Sequence, residues 1–174
     1  MKHLPKIYGI GFYLLLYFIG GVAHAEDTLT KQRYARSPAT PITQLELYAV
    51  DKDWKVRREV ATNRRAPAKL LYQLASDPVI EVKIAVATNI STDEKTFMLL
   101  ADDPDATIRS VVARFEFVPS SVLDKLANDD SFDIRLEVAR SFNVTDTTLK
   151  RLMHDEYPEI RQVAAQRLAQ RQEP

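Results

Sequence analysis

Adjacent aspartates occur twice in this chain, at Asp102-Asp103 and at Asp129-Asp130. Paired carboxylates can act as a general acid and base, or they can bind a calcium ion. The spacing of a calcium-binding loop, with its central glycine, is absent here, and the sequence places no further acid beside either pair. A structural use of these acids is therefore the better interpretation.

Other residue types that support catalysis or cofactor binding are scarce. The chain has no cysteine, and its four glycines all lie within the first 25 residues, so the rest of the chain cannot form a glycine-rich phosphate loop. His154 is the one histidine beyond residue 25, and without cysteines or a His-Glu-x-x-His spacing it predicts a surface residue and no zinc site. Serine nucleophiles lack a Gly-x-Ser-x-Gly elbow. We expect no enzyme activity, no cofactor and no bound metal.

The acids belong to a pattern that repeats every 26 residues. An apolar anchor, an alanine, a cation and an acid each form a column: Val56, Val82, Ile108, Ile134, Ile160; Ala61, Ala87, Ala113, Ala139, Ala165; Arg57, Lys83, Arg109, Arg135, Arg161; Asp51, Asp77, Asp103, Asp129, Asp155. Self-similarity at this period predicts a stacked repeat array. A catalytic constellation would be made once, so we predict that each acid caps a helix start or pairs with a cation of its own or the next unit.

Each unit contains two apolar stretches with helical spacing. In the central unit Phe97, Leu100 and Ala101 share one helical face, and Ile108 and Val112 share another. Residues 102–105 form the turn between them, with a proline suited to the first turn of a helix. The pattern predicts an all-α solenoid of about five helix-pair repeats over residues 42–174.

One repeat and its continuation also carry a family motif. Its residues are Asp77-Pro78, Val82-Lys83, Val86-Ala87, Asn89, Leu99-Leu100-Ala101 and Asp103-Pro104. This motif resembles the leucine-rich-repeat variant, a bacterial relative of HEAT repeats, over about residues 45–168. The resemblance implies a right-handed superhelix that presents a surface to a partner, and it implies almost nothing about activity. Some members carry a cysteine cluster for iron and sulfur, which this cysteine-free chain cannot form.

The later repeats depart from this pattern at one column. Asn63 and Asn89 are followed at the same position by Phe115, Ser141 and Arg167. We therefore expect the turns of the later repeats to be shaped differently.

The amino-terminal residues predict export. Residues 1–6 carry two lysines and no acid, residues 7–22 are apolar and aromatic, and Ala23 and Ala25 flank His24. This is the layout of a secretory signal peptide, residues 1–25, cleaved before Glu26. An uncleaved membrane anchor is the alternative, but the apolar run is shorter than the roughly 20 residues that a spanning helix needs. We expect a periplasmic or secreted protein.

Residues 26–41 contain Pro38 and Pro41 and show no apolar period, which predicts a linker or mobile arm. Loss of Lys2 and Lys6 with the signal would leave a net charge of −2. Such a chain is not attracted as a whole to nucleic acid or to anionic lipid. We expect no nucleic-acid partner, no membrane contact after cleavage, and a monomer.

Two stretches predict a binding surface. The first unit is basic around Trp54, and its cations are Lys55, Arg57, Arg58, Arg64, Arg65 and Lys69. They predict either an anion-binding face or the solvated polar side of a terminal unit. In the third unit, two aromatics replace the polar turn, at Phe115 and Phe117, next to Arg114.

The two aromatics are either an interface hot spot flanked by Arg114 and Arg140 or core packing against Phe142. On a helix, residues two apart point about 200° from one another, so we predict that Phe117 is core and Phe115 is surface. The function that follows is an exported protein-binding scaffold, adaptor or inhibitor acting on another exported protein. The alternative is an accessory module that binds an extracytoplasmic glycan or anionic polymer through the basic first repeat.

Overall fold

The computed structural model describes residues 27–172, which form eleven helices and no strand. The predicted signal peptide, residues 1–25, lies outside the described residues. No helix within residues 27–172 combines the length and the apolar character needed to cross a membrane.

The helices alternate between two classes that form two layers. The first-layer helices have seven residues each: α2 Ile42–Tyr48, α4 Ala68–Leu74, α6 Glu94–Leu100, α8 Ser120–Leu126 and α10 Asp146–Leu152. The second-layer helices are all longer, with eight residues in α5, fifteen in α11 and nine in the others: α1 Thr28–Arg36, α3 Trp54–Thr62, α5 Ile80–Ala87, α7 Ala106–Arg114, α9 Phe132–Arg140 and α11 Pro158–Gln172. Each second-layer helix packs on the next one along the chain, and the all-α solenoid predicted from the repeats is confirmed.

Local sequence explains where the helices begin and end without glycine. Proline occupies the position before α2, α4 and α8, where its fixed φ suits entry into a helix. Asp53 and Asp105 cap α3 and α7 by accepting hydrogen bonds from backbone N–H groups. Four of the first-layer helices are followed by a buried alanine that stays in the right-handed region, so no turn there needs a left-handed residue: Ala49, Ala75, Ala101 and Ala127.

The core consists of the repeat columns seen in sequence. The apolar anchors are buried in every repeat, from Val56 to Ile160, and so are Ala61, Ala87 and Ala113. A second buried column comes from the first-layer helices: Leu45, Leu71, Phe97, Leu123 and Leu149. Each repeat thus buries its apolar face only against its neighbours, as expected for a solenoid.

The prediction of a linker or mobile arm at residues 26–41 is wrong for the described residues 27–41. Residues 28–36 form α1, which packs against α3 and buries Ala35 completely. The sequence pattern did not predict this helix, because residues 26–41 show no apolar period of their own. A signal was present, since Lys31 and Ala35 stand 26 residues before Arg57 and Ala61.

Candidate functional site

The charged columns form a ladder of ion pairs that joins consecutive repeats. In every rung the cation lies 20 residues before its acid, on the preceding second-layer helix. The rungs are Lys31–Asp51 at 2.6 Å, Arg57–Asp77 at 2.6 Å, Lys83–Asp103 at 2.7 Å, Arg109–Asp129 at 2.7 Å and Arg135–Asp155 at 2.7 Å. The predicted structural use of these acids is confirmed, but the predicted partner is wrong: each acid pairs with the cation of the preceding unit, and not with that of its own or the next unit.

Each arginine rung holds two turns at once. Arg109 donates from Nε and Nη2 to the two carboxylate oxygens of Asp129, at 2.7 and 3.1 Å. Its Nη1 donates to the main-chain oxygen of Asp103, in the turn before its own helix, at 2.9 Å. The Asp129 carboxylate also accepts from the N–H of Ser131 at 2.9 Å. A bidentate, largely buried pair of this kind fixes the position of one repeat relative to the next.

These contacts lower the pKa of two ladder acids, Asp129 and Asp155. Burial alone would raise the pKa of the Asp129 carboxyl, but hydrogen bonds from Arg109 and from the Ser131 N–H hold that pKa below its ordinary value. The same balance, with Arg135 and the Tyr157 N–H as donors, lowers the pKa of Asp155. Asp129 and Asp155 are therefore ionised carboxylates engaged in structure.

The stacking places the loops of the repeats along two opposite edges. We call one the acidic edge: it comprises loops 49–53, 75–79, 101–105, 127–131 and 153–157, and it holds the ladder acids. We call the other the basic edge: it comprises loops 37–41, 63–67, 88–93, 115–119 and 141–145, with the helix ends that flank them. Second-layer helices run from the acidic edge to the basic edge.

Asparagine side chains tie the first loops of the basic edge together. The Asn63 amide donates to the main-chain oxygens of Ala35 and Ser37, at 2.7 and 3.0 Å. One repeat later, the Asn89 amide donates to the oxygens of Ala61 and Asn63, at 2.6 and 3.0 Å. Both asparagines are buried, so each loop rests on the one before it.

The later loops differ, as the sequence predicted, and the difference exposes aromatic rings. Phe115 takes the asparagine position and packs its ring on that of Phe97, with centroids 5.9 Å apart. In the next loop the asparagine position is occupied by Ser141, and Asn143, two residues later, makes the hydrogen bonds to the preceding loop instead. Its amide donates to the main-chain oxygens of Glu116 and Val118, at 2.7 and 3.1 Å, so loops 115–119 and 141–145 lie side by side.

The predicted roles of the two phenylalanines in the third unit are reversed. Phe117 is 60% exposed, whereas Phe115 is half-buried against the core. The prediction assumed that both residues lie on one helix. However, α7 ends at Arg114, and Phe115, its C-cap residue, has extended backbone angles. Residues 115–118 form a turn in which the Val118 N–H donates to the main-chain oxygen of Phe115 at 3.2 Å, and the two ring centroids lie 5.7 Å apart.

Phe142, in the next loop, is 81% exposed, and the guanidinium of Arg167 lies 5.5 Å from its ring centroid. The sequence predicted for Phe142 only a role in core packing against Phe115 and Phe117. Phe142 lies between Ser141 and Asn143, about one period after Phe115 and Phe117, and this position in a polar loop was the signal that its ring could be exposed. Phe117 and Phe142 thus form the centre of an exposed aromatic patch on the basic edge.

The two arginines predicted to flank the patch behave differently. Arg114 is exposed and makes no ion pair with any described residue. Arg140 turns back along its helix, and its guanidinium lies 3.9 Å from Glu137 and 3.6 Å from Glu159. These long, exposed contacts contribute little to stability. Arg114 is therefore free of ion pairs at the helix end that leads into the patch, whereas the Arg140 guanidinium points towards Glu137 and Glu159.

The structure does not gather the basic residues of the first repeat into one face. Trp54 begins α3 at the acidic edge, with Arg58 5.5 Å from its ring centroid and bonded to Glu59 at 2.7 Å. Arg64 and Arg65 follow the other end of α3, about 13 Å away for a nine-residue helix. The Arg65 guanidinium donates to the main-chain oxygen of Pro38 at 2.8 Å and so holds two loops together.

His154 is an exposed residue of the last repeat, as predicted, beside a shallow groove that includes Asp130 and Arg135. Within residues 27–172, no group of three or more histidine and acidic side chains is placed to hold a metal ion.

Comparisons with known proteins address the fold. No family model matches the chain, and no curated protein matches it. A solved structure described as "a leucine-rich repeat variant with a novel repetitive protein structural motif" matches with a TM-score of 0.66 and 26% sequence identity. The match covers 91% of this chain and 60% of that one. The resemblance found in the sequence is confirmed, and the chain has the leucine-rich-repeat-variant fold.

Proposed function

We propose that this protein is an exported, non-enzymatic scaffold, adaptor or inhibitor that binds another exported protein through its basic edge. The observation that carries the proposal is the aromatic patch, because Phe117 and Phe142 are exposed on loops that hydrogen bonds hold in place. Interface energy concentrates in aromatic and arginine side chains, and Arg114 lies at the helix end that leads into this patch. Rigid loops lose little entropy when a partner binds.

The fold supports a binding role without specifying the partner. Repeat arrays present extended surfaces, and five stacked units offer a face about 45 Å long at a helix spacing of about 8–10 Å. The conspicuous acids are engaged in the ladder, so their recurrence has a structural explanation that needs no catalysis.

Binding can be tested by affinity capture from the exported fraction of the source cells. The bait proteins are the wild type, the double variant Phe117→Ala/Phe142→Ala and the control Leu47→Ala. Leu47 is 64% exposed, much like Phe117, but lies on α2 in the first layer. We expect a partner that the wild type and the control capture and the double variant loses, with affinity reduced at least about tenfold. Equal capture by all three proteins would contradict the proposed surface.

Export rests on the sequence layout of residues 1–25 and has its own test. The intact mass of the protein purified from its native cells should correspond to a chain that begins at Glu26. A protein that retains residues 1–25 in the membrane fraction would support the anchor alternative instead.

A further inference from the structure

The last described helix, α11, extends over the loop that contains Phe142. It has fifteen residues, whereas the other second-layer helices have eight or nine. Two arginines in the part that exceeds nine residues, Arg167 and Arg171, donate hydrogen bonds to loop 141–145. The extra length of α11 therefore has a defined contact with one half of the aromatic patch.

Arg167 occupies the position that Asn63 and Asn89 occupy in the earlier repeats. Each of these asparagines donates to a main-chain oxygen 26 residues earlier, Asn63 to Ser37 and Asn89 to Asn63, at 3.0 Å in both cases. Arg167 makes the same bond, from Nη2 to the main-chain oxygen of Ser141 at 3.0 Å. The loop that contains Phe142 is thus held in the same register as the earlier loops, but by a longer and charged side chain.

Arg171 holds the same loop from a position about one helical turn further on. Its Nη1 donates to the main-chain oxygen of Val144 at 2.9 Å and to the carboxylate of Asp146 at 2.8 Å. Its Nη2 donates to the main-chain oxygen of Phe142 at 3.1 Å. Because the guanidinium is planar and its donors have fixed directions, these bonds together define the position of the loop backbone.

The ring of Phe142 also contacts one of these arginines. The Arg167 guanidinium lies 5.5 Å from the ring centroid, within the range of a cation–π interaction. The ring is nevertheless 81% exposed, so this contact leaves most of its surface open to solvent. A ring that is held in this way loses less conformational entropy when a partner covers it than a ring on an unrestrained loop.

We propose that Arg167 and Arg171 are positioning residues, which hold Phe142 in the orientation in which it binds the partner. We call the two residues the arginine clamp. They act through loop 141–145, because their donors are directed at its main-chain oxygens. This inference rests on the proposed function, and it adds that the binding surface depends on a helix extension that lies behind it.

The order of the loop can be measured without a partner. The chain has no cysteine, so Phe142→Cys accepts a single nitroxide spin label, and Ile90→Cys, two loops before the clamp, gives a reference label. In electron paramagnetic resonance spectra, we expect Arg171→Gln to shorten the rotational correlation time of the label at position 142 at least about twofold, on the nanosecond timescale of loop motion. The double variant Arg167→Gln/Arg171→Gln should shorten it further. The label at position 90 should be unaffected by either variant.

Binding is measured on proteins that keep the native Phe142. The protein that the wild type captures from the exported fraction is purified and titrated against each variant. Arg171→Gln should weaken its binding at least about fivefold, because the loop must then be ordered at the moment of binding. The matched control is Arg151→Gln, because Arg151 also connects the last two repeats, through Asp124 at 2.7 Å, but lies in the first layer. The control should leave both the label at position 142 and the affinity unchanged.

The two proposals can fail separately. An unchanged label at position 142 in Arg171→Gln and in the double variant would overturn the arginine clamp, and so would a more mobile label with unchanged affinity. The proposed function would stand in both cases. If the double variant lost its helical circular dichroism, Arg171→Gln alone would decide, because it keeps the bond to Ser141. Capture that is independent of Phe117 and Phe142 would instead refute the proposed function, and with it the role of the clamp in binding.

Discussion

Asp129 shows how one side chain connects two repeats. Its two carboxylate oxygens accept from Arg109, and one of them also accepts from the N–H that precedes α9. Replacing the carboxylate by an amide keeps an acceptor for the N–H and removes the charge. Hydrogen bonds to charged groups contribute about 1.5–3 kcal/mol, so we expect Asp129→Asn to lower the free energy of unfolding by about 1–2 kcal/mol at neutral pH.

The same residue predicts a dependence of stability on pH. Its pKa is lowered in the folded state, whereas in the unfolded chain it lies near 3.9. Protonation therefore favours the unfolded state, and the stability from Asp129 is present above pH about 4 and is lost as pH falls through the folded pKa. Thermal melts between pH 7 and 3 should show a shallower loss for Asp129→Asn than for the wild type. Parallel curves would show that Asp129 does not contribute.

The two phenylalanines of the third repeat give a second prediction. Phe115→Ala removes a half-buried ring from contact with Phe97, and we expect it to cost about 2–3 kcal/mol, below the range for fully buried phenylalanine. Phe117→Ala removes an exposed ring and should change stability by less than about 0.5 kcal/mol. Urea denaturation of the two single variants compares them, and similar losses would contradict the assignment.

The assignment of these rings could not be obtained from their spacing alone. A separation of two residues has different consequences on a helix and in a turn, and the helix end at Arg114 decides between them. No glycine marks that end. The prediction that Arg140 flanks the aromatic rings was wrong for a related reason. Its neighbours Glu137 and Glu159 belong to two helices, and the sequence does not specify how those helices pack.

At the scale of the helix, four members of the alanine column are fully buried: Ala61, Ala87, Ala113 and Ala139. Ala113 is fully buried, whereas Ala106 begins the same helix and is exposed. We expect Ala113→Leu to cost about 1–3 kcal/mol through overpacking and Ala106→Leu to be nearly neutral. Melting temperatures of the two variants give the comparison. A neutral Ala113→Leu variant would mean that neighbouring helices can separate without cost.

The helices were predictable to different degrees. Those inside the array repeat their apolar anchors five times, from Val56 to Ile160, so each repeat confirms the others. Helix α1 lacks this redundancy, because it is the first helix of the described residues and prolines follow it closely. The sequence shows that α1 belongs to the array only when the repeat columns are extended one period towards the amino terminus, where Lys31 takes the position of the cation.

At the scale of the molecule, the fold was predictable because it is one unit repeated, whereas the candidate site was not. A binding patch consists of departures from the repeat, such as Phe117 and Phe142, and each departure occurs once. Periodicity separates these residues from the background. It cannot determine which of them are exposed, since that depends on local backbone shape.

The constant offset within the ladder leads to a prediction for the whole chain. Deleting residues 93–118 removes one full period and places Lys83 20 positions before Asp129, so a rung forms across the new junction. We expect this variant to be helical and to melt cooperatively. Deleting residues 93–116 removes almost as much chain but shifts every column by two, and this variant should lose the cooperative transition in circular dichroism. Equal behaviour of the two deletions would show that register is unimportant.

Every ion pair of the ladder crosses a boundary between units. Each unit therefore contributes the acid that pairs with the preceding unit and the cation that pairs with the following one. A duplication or loss of one unit in the gene would therefore create no unpaired charge at the new junction. The number of repeats can change in evolution by whole units at little energetic cost, while insertions of other lengths are selected against. The ladder makes this protein a modular chain, in which length and surface can vary independently of the bonds between units.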